Sequence, residues 1–535
     1  MFRENTSHNQ ISMFESTNWM NPRVKEKLEK SWAPVFYEHV FRKIDEKPFE
    51  VLYSDVGRPN FPVNISVSLE YIKHFLDYTD DDLIDNYYFN YLVNYAVGIR
   101  TLGELNLAER TLYEFRNRIY KYTLENPGAD DLIFSQFIKL MKEFAEKTGV
   151  SLKDQRMDST MFMSNIKKSG RLSLAFDVLM KAVKALPEDK LSERLKEVIK
   201  PNFRTETLFK TKASETESRL NFVLDLCLEA KALLENDKTE KEALRIVSRF
   251  LTEQADIDES TNSITAKKPA DIPTDSLQSA YDEDATYRKK NGKAQSGYVA
   301  NLSETCSKEN PYQLITDYAI DKNIKSDVNF IEERLPKIVK NTNCETLCVD
   351  GGYYSEKASD IESNVDVNFT DMTGKKPTDK IPYTDFEFDS TNIILKCPKG
   401  IAPDHAVIKN SQTVAHFCVD CCIKCEYFGK CPGKVQKKSF VVKISSKSLE
   451  AAFQRIRIKQ NKKENTSARA GIEGTNSALK RSQHFDKLYV RGIAKCQVVG
   501  GLKITAQNIR RFIKQVLKPR EPKSKVSGTL IPILA

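Results

Sequence analysis

In the stretch TLCVDGGYYS, residues 346–355, the apolar run Leu347, Cys348 and Val349 is stopped at once by Gly351 and Gly352. That pattern predicts Asp350 at the C-terminal end of a buried strand, with its carboxylate toward a cleft. A carboxylate on a rigid strand end, beside glycines that let a ligand approach the backbone, suits a hard divalent cation such as Mg²⁺. The plainer alternative is a solvated loop aspartate. A second acid, Asp158, lies in QRMDSTMFMSNI, residues 155–166, whose alternation predicts a strand with the aspartate near its start. Taken alone, Asp158 reads better as a cap or turn residue. A third acid lies in ARAGIEGTNSALKR, residues 468–481, a predicted helix with Arg469, Glu473 and Lys480 along one face. An exposed ion-pair ladder would have the same spacing. Gly471 and Gly474, however, cost a helix about 1 kcal/mol each, which argues for close approach by metal, DNA or backbone.

Six of the eleven cysteines fall between Cys397 and Cys431. Cys397, Cys422, Cys425 and Cys431 offer four thiolates for a tetrahedral Zn²⁺ site, with Cys418 and Cys421 as competing ligands. Against this stands a loop of free thiols. The segment is small, polar and glycine-containing, and a metal would supply the stability that its apolar content does not.

The elements that must position these groups are spread over a chain of 535 residues, 40% hydrophobic, which excludes disorder throughout. No signal-peptide pattern opens it and no apolar run approaches the roughly 20 residues of a membrane helix, so a cytoplasmic protein is expected. From Lys430 onward there are 25 Lys and Arg against 5 Asp and Glu, a balance of +20 in a chain of net +9. That basic end implies a polyanionic partner, and its cations continue through Arg510, Arg511 and Lys514 into a tail beyond Pro519. Toward the N-terminus, Thr79 can cap a helix that opens on Asp80, Asp81 and Asp82 and runs to Gly98. A second helix from about Leu107 sets Arg110, Arg116, Arg118 and Lys121 beside an apolar side, so that one side could pack while the other meets phosphate. Helices are also predicted over 132–148, 171–252 and 330–339, with strands over 297–304 and 312–320 and another at 365–369. Residues 256–278 read as a linker or surface loop. The order strand, strand, helix, strand would bring Asp350 near Asp158.

Together these segments resemble the DDE transposases of bacterial insertion sequences. The likeness covers nearly the whole chain. It rests on MDST at Asp158, YDEDATYRKKNGKAQSGY from Tyr281 to Tyr298, VDGGY at Asp350, and the R-x3-E-x6-K pattern of Arg469, Glu473 and Lys480. In relatives that last signature begins with a tyrosine three residues before the arginine. Here the place is Thr466, so steps that depend on the tyrosine, such as a hairpin in excision, do not carry over.

The resemblance implies an α+β or α/β protein with a helical DNA-binding domain over 1–130 and an RNase-H-like mixed-sheet catalytic core over 150–168 and 280–390. A helical insertion with linker would occupy 169–279, a Cys-rich, zinc-like insertion 391–440, and the catalytic helix and basic tail 441–535. It further implies two Mg²⁺ ions, with Mn²⁺ as the alternative, held by Asp158, Asp350 and Glu473, and phosphate contacts from Arg469 and Lys480. The partner would be double-stranded DNA, at element ends and target, bound by a homo-oligomer that is nucleoid-associated when on DNA. Asp282 competes with Asp158 as first acid. Strand placement favours Asp158, because a metal ligand must be held within about 0.5 Å of its working position; the basic neighbours of Asp282 suit an ion pair or a DNA-facing loop, so Asp282 is read as structural or DNA-orienting. The other readings are a non-catalytic zinc-containing DNA-binding protein and a decayed transposase. Three carboxylates divided between sheet and helix favour the enzyme.

Overall fold

The computed structural model describes residues 1–10, 15–127, 131–236, 241–258, 263–290, 292–355, 364–372 and 379–518. The basic tail from Pro519 lies outside them.

Asp154–Phe162 (β1) is a central strand of a six-stranded mixed sheet. Its partners are the hairpin Thr286–Lys290 (β2) and Lys293–Thr305 (β3), then Ile315–Lys322 (β4), Thr346–Val349 (β5) and Asp366–Phe369 (β6). The first part of β3 pairs with β2, and the rest runs antiparallel to both β1 and β4. On its other edge β1 pairs in parallel with β5, and β5 with β6. Gly297 marks the change of partner in β3: its φ is +137°, and a Cβ there would lie 2.3 Å from the Phe162 carbonyl oxygen. A larger residue would push β3 off the end of β1.

Side chains on the two faces of β1 alternate, and each face has its own cover. Asp327–Thr342 crosses from β4 to β5 and buries Phe330, Ile331, Leu335 and Ile338 against Met157, Leu347 and Val349. The opposite face, with Phe162, Ala300 and Leu302, packs against Ile472 and Leu479 of one long helix and Val499 and Ile504 of the last. That long helix, Ser446–Ser482, has 37 residues, about 55 Å. It begins well before the predicted 468–481 segment, and its first half carries Leu449, Ala452, Phe453 and Ile456 at helical spacing, of which only Leu449 is buried. Ser445 caps it directly from the preceding strand.

The N-terminal helices share their core with Leu132–Thr148 and with the last helix, Ile493–Val516; Phe144 stacks on Phe512 at 4.3 Å. Thr79 and Asp82 form a reciprocal capping box. The helix expected to run to Gly98 is two: it ends at Phe89, and Asn90, in extended conformation, caps Tyr91–Ala96 through its side chain. Arg116 also departs from expectation. Instead of facing phosphate it is buried, with Nε 2.7 Å from Glu70 and two nitrogens 2.6 and 2.9 Å from Asp80, because three acidic and basic side chains of neighbouring helices converge there.

Between β1 and β2, Arg171–Lys184, Thr216–Asn236 and Lys241–Gln254 enclose a core of their own. The segment expected to be a loop after them contains paired strands, Ala255–Asp258 and Ser263–Ala266, with Ile264 buried under the helices. The Cys-rich part builds a four-stranded antiparallel sheet around Phe417, Phe440 and Val442. Among the described residues no helix is long and apolar enough to cross a membrane.

Lys503, buried in the last helix, donates to the Gln483 carbonyl at 2.5 Å. Burial pushes its pKa down to about 8, against the pull of Asp77. The unfolded chain keeps that proton up to about 10.4, so the unfolded state binds more protons between these values and stability should rise with pH through that window. Lys503→Met should remove the rise and stabilise the fold at pH 7 by up to about 3 kcal/mol. Denaturant titrations at pH 7 and pH 10 check this; a destabilised variant with unchanged pH dependence would contradict it.

Candidate active site

β1 and β5 run in parallel with Asp154 beside Thr346 and Arg156 beside Cys348. The same register, carried two residues further, sets Asp158 beside Asp350 at the C-terminal end of β5. Asp350 is fixed by its own turn, where its Oδ1 accepts from the Gly352 N–H at 2.8 Å. Gly351 is required by a close approach, since a Cβ there would lie 2.9 Å from the Asp371 backbone.

Over this pair passes the long helix. One guanidinium, that of Arg469, reaches all three acids: Nη2 is 3.3 Å from Asp158 and 3.7 Å from Asp350, and Nη1 is 3.2 Å from Glu473. Asp158 is mostly buried, whereas the Glu473 side chain is 64% exposed, so the cleft is closed over the first acid and open over the third. Burial raises the Asp158 pKa, Arg469 opposes that, and Asp350 adds to it. Lys480, one helical stretch further, is half-buried and close enough to Asp486 and Asp158 to be pulled upward by both, although burial lowers it overall.

Three carboxylates outnumber the cationic groups, Arg469 and Lys480, that reach this partly buried cleft, the condition a divalent cation relieves. Among the described residues no group of three His, Cys, Asp or Glu side chains stands in an arrangement that holds a metal ion. In this cleft the reason is visible: each acid turns an oxygen to Arg469. The residues fit a cation in type and charge, with Arg469 between them.

The sequence reading missed Asn476. Its Nδ2 donates to Asp158 Oδ2 at 3.3 Å, and its Oδ1 is buried without a partner. The signal was present, for Asn476 lies three residues after Glu473 and seven after Arg469, on the same helix face. Asp327 was missed as well. It accepts from Ser159 Oγ at 2.7 Å, and its Oδ2 lies 3.1 Å from where a Cβ on Gly352 would be. As the first residue of its helix it carries no local mark of this. Asp282 stands in a charged loop with Glu283 and Asp284 but forms no ion pair among the described residues. It is buried and accepts from Ser164 Oγ at 2.5 Å and the Tyr298 hydroxyl at 2.6 Å, because the turn before β2 folds it under the sheet. The neighbouring Arg288 guanidinium is engaged by the carbonyls of Asn323 and Lys325.

Cys397, Cys422, Cys425 and Cys431 line one small cavity with Phe417 and Phe440; Cys421 lines it too and is hydrogen-bonded to Cys418. All six are free thiols. Burial and the neighbouring sulfurs push Cys422 up to about 11. Four thiols converging on one cavity suit a soft-ligand cation in kind, although they too stand outside a metal-holding arrangement.

Residues 24–118 match the Transposase domain (DUF772) and residues 396–513 match the Transposase DDE domain. The second match includes Arg469, Glu473 and Lys480; Asp158 and Asp350 lie outside both. No curated protein and no solved structure matches the chain. The two matches, made by segments near opposite ends of the chain, support an insertion-sequence DDE transposase.

Proposed function

We propose that this transposase binds the terminal inverted repeats of its element, cuts the strands to free 3′-hydroxyls, and joins them to target DNA, with Asp158, Asp350 and Glu473 as the ligands of two Mg²⁺ or Mn²⁺ ions. The observation that carries the reading is the single guanidinium within 3.7 Å of all three acids, which come from the middle of one strand, the end of another and a helix more than a hundred residues away. When bound, the ions supply activation of the attacking oxygen and stabilisation of the departing alkoxide. Asp158, Asp350 and Glu473 would together hold the ions, with Asp350 as the ligand common to the set. Arg469, once it leaves the carboxylates, turns its planar fork to phosphate oxygens, and Lys480 adds a point charge along the same face. Asn476 holds Asp158 in place.

The sheet is read as RNase-H-like, the N-terminal helices as the part that recognises the repeats, and the basic C-terminal end as a general phosphate contact. Work on two DNA ends at once calls for a homo-oligomer, acting in the cytoplasm on the nucleoid. The test is nicking and joining of DNA carrying the inverted repeats that flank the gene, in Mg²⁺ and in EDTA. Specific binding without cutting in Mg²⁺, or in Mn²⁺ put in its place, would leave the non-catalytic or decayed reading.

Cys397, Cys422, Cys425 and Cys431 are assigned one structural Zn²⁺, closed to chemistry because thiolates fill all four positions. Elemental analysis should find about one zinc per chain, and Cys425→Ser should lose it. Folded wild-type protein free of zinc would defeat the assignment, and zinc retained by the variant would move the ligand set toward Cys418 or Cys421.

A further inference from the structure

Two residues before Asp158 on β1, and on the same face, Arg156 points at the long helix. Its Nε and Nη2 donate to Glu304 Oε1 at 2.9 and 2.5 Å, and its Nη1 donates to the Ala468 carbonyl at 2.8 Å. Ala468 is the residue just before Arg469. The guanidinium passes so close to the helix that a Cβ on Gly471 would lie 2.1 Å from Nη1. The other oxygen of Glu304 accepts from Thr475 Oγ1 at 2.6 Å and from Arg511 Nη1 at 3.0 Å, and Arg511 Nη2 reaches Thr475 Oγ1 at 2.5 Å. Glu304 is wholly buried and Arg156 and Thr475 nearly so. The helix is therefore held at residues 468, 471 and 475, on both sides of Arg469 and Glu473, by one carboxylate of β3 with two arginines on it.

We propose that Arg156 is a positioning residue: with Glu304, Arg511 and the gap left by Gly471, it sets the height and register of the helix that carries Arg469 and Glu473 over the strands that carry Asp158 and Asp350. The proposal rests on the transposase reading and goes beyond it, since it assigns a role to residues that touch neither DNA nor ion. The chemistry favours Arg over any other residue at this place. Only a planar fork with several donors can grip a buried carboxylate with one edge and a main-chain carbonyl with another. It also explains a helix glycine, which would otherwise cost about 1 kcal/mol for nothing. A helix lifted by even 1 Å would spoil the alignment of the third acid with the first two, and misplacement on that scale costs about a hundredfold in rate.

The experiment compares Gly471→Ala, Arg156→Ala, the double variant and Arg156→Lys, with Leu224→Ala in the separate core of the helical insertion as a control for lost stability. Melting temperature, affinity for end DNA, and the cleavage rate constant at saturating DNA are measured for each. Gly471→Ala should lower the rate constant about a hundredfold while DNA affinity stays at the wild-type value, and Leu224→Ala should keep the wild-type rate at a temperature where it is folded. Arg156→Lys keeps a cation on Glu304 but gives up the bond to Ala468, so it should recover most of the stability and little of the rate. In the Arg156→Ala background the Gly471→Ala change should cost almost nothing further, in melting temperature as in rate. Rates that fall no further than in Leu224→Ala would overturn the positioning role, and an undiminished cost of Gly471→Ala without Arg156 would overturn the contact behind it. A wild-type chain that cuts no end DNA defeats the transposase reading, and the melting temperatures of the four combinations at 156 and 471 then still decide whether the contact exists.

Discussion

Asp158→Asn, Asp350→Asn and Glu473→Gln are each expected to abolish nicking and joining together, by about a thousandfold or more, because ions that stabilise both attacking and leaving oxygens contribute several kcal/mol to each step. The amide keeps the shape of the side chain and one acceptor, so folding and DNA binding should survive, and both are measured first. Loss in common is the point. A residue that only binds the element ends would affect joining to target differently from nicking, whereas a ligand of shared ions cannot separate them. Asp282→Asn is the internal control: Asp282 is buried on two hydroxyls under the sheet, so a folded variant should retain activity. Full activity in Asp158→Asn with none in Asp282→Asn would reverse the assignment of the first acid.

The largest effect on stability is expected at Arg116. Its guanidinium is bound to Glu70, which is 2% exposed, and to Asp80, which Lys73 also contacts at 2.6 Å. Burial works against the charge on Asp80, yet Arg116 and Lys73 hold it down to about 2. Among the described residues Arg116 is the cation bound to Glu70, and Arg116→Met removes it from a carboxylate whose Oε2 is already buried with no partner among them. An uncompensated buried carboxylate costs about 3–5 kcal/mol. Denaturant unfolding should show a loss of that order, and Glu70→Gln in the same chain should restore part of it, since it removes the stranded charge. A loss within about 1 kcal/mol, the range of an exposed ion pair, would mean that the site takes up water and that the burial is not felt.

What the sequence discloses depends on how local the cause is. Leu132–Thr148 is legible to the residue, because Asp131 caps it, its apolar positions repeat at helical spacing, and Gly149 ends it with φ +68°. β1 and β5 are legible from alternation and from the two glycines after Asp350. The helix face of Arg469, Glu473 and Lys480 can be read from spacing alone, and Asn476 could have been added to it. Other features have no local mark. Arg116 and Arg156 look like any surface arginine until segments 36 and 148 residues away in sequence bring Asp80 and Glu304 against them. The first half of the long helix, by contrast, does carry a local mark that went unread, with Leu449, Ala452, Phe453 and Ile456 at helical spacing. Asn90 breaks a helix that tyrosine and leucine periodicity would continue, since its side chain offers the next helix a cap.

Arg469 and the proposed cations compete for the same three acids. If Arg469 occupies the place of the cations, Mn²⁺ bound by the wild-type chain without DNA, followed by the loss of the free-ion electron paramagnetic resonance signal, should be weakened in Asp158→Asn and Asp350→Asn and strengthened in Arg469→Ala. Acid and arginine variants should shift in opposite directions, with Asp282→Asn unchanged. Mn²⁺ binding that is the same in all five proteins would contradict that competition.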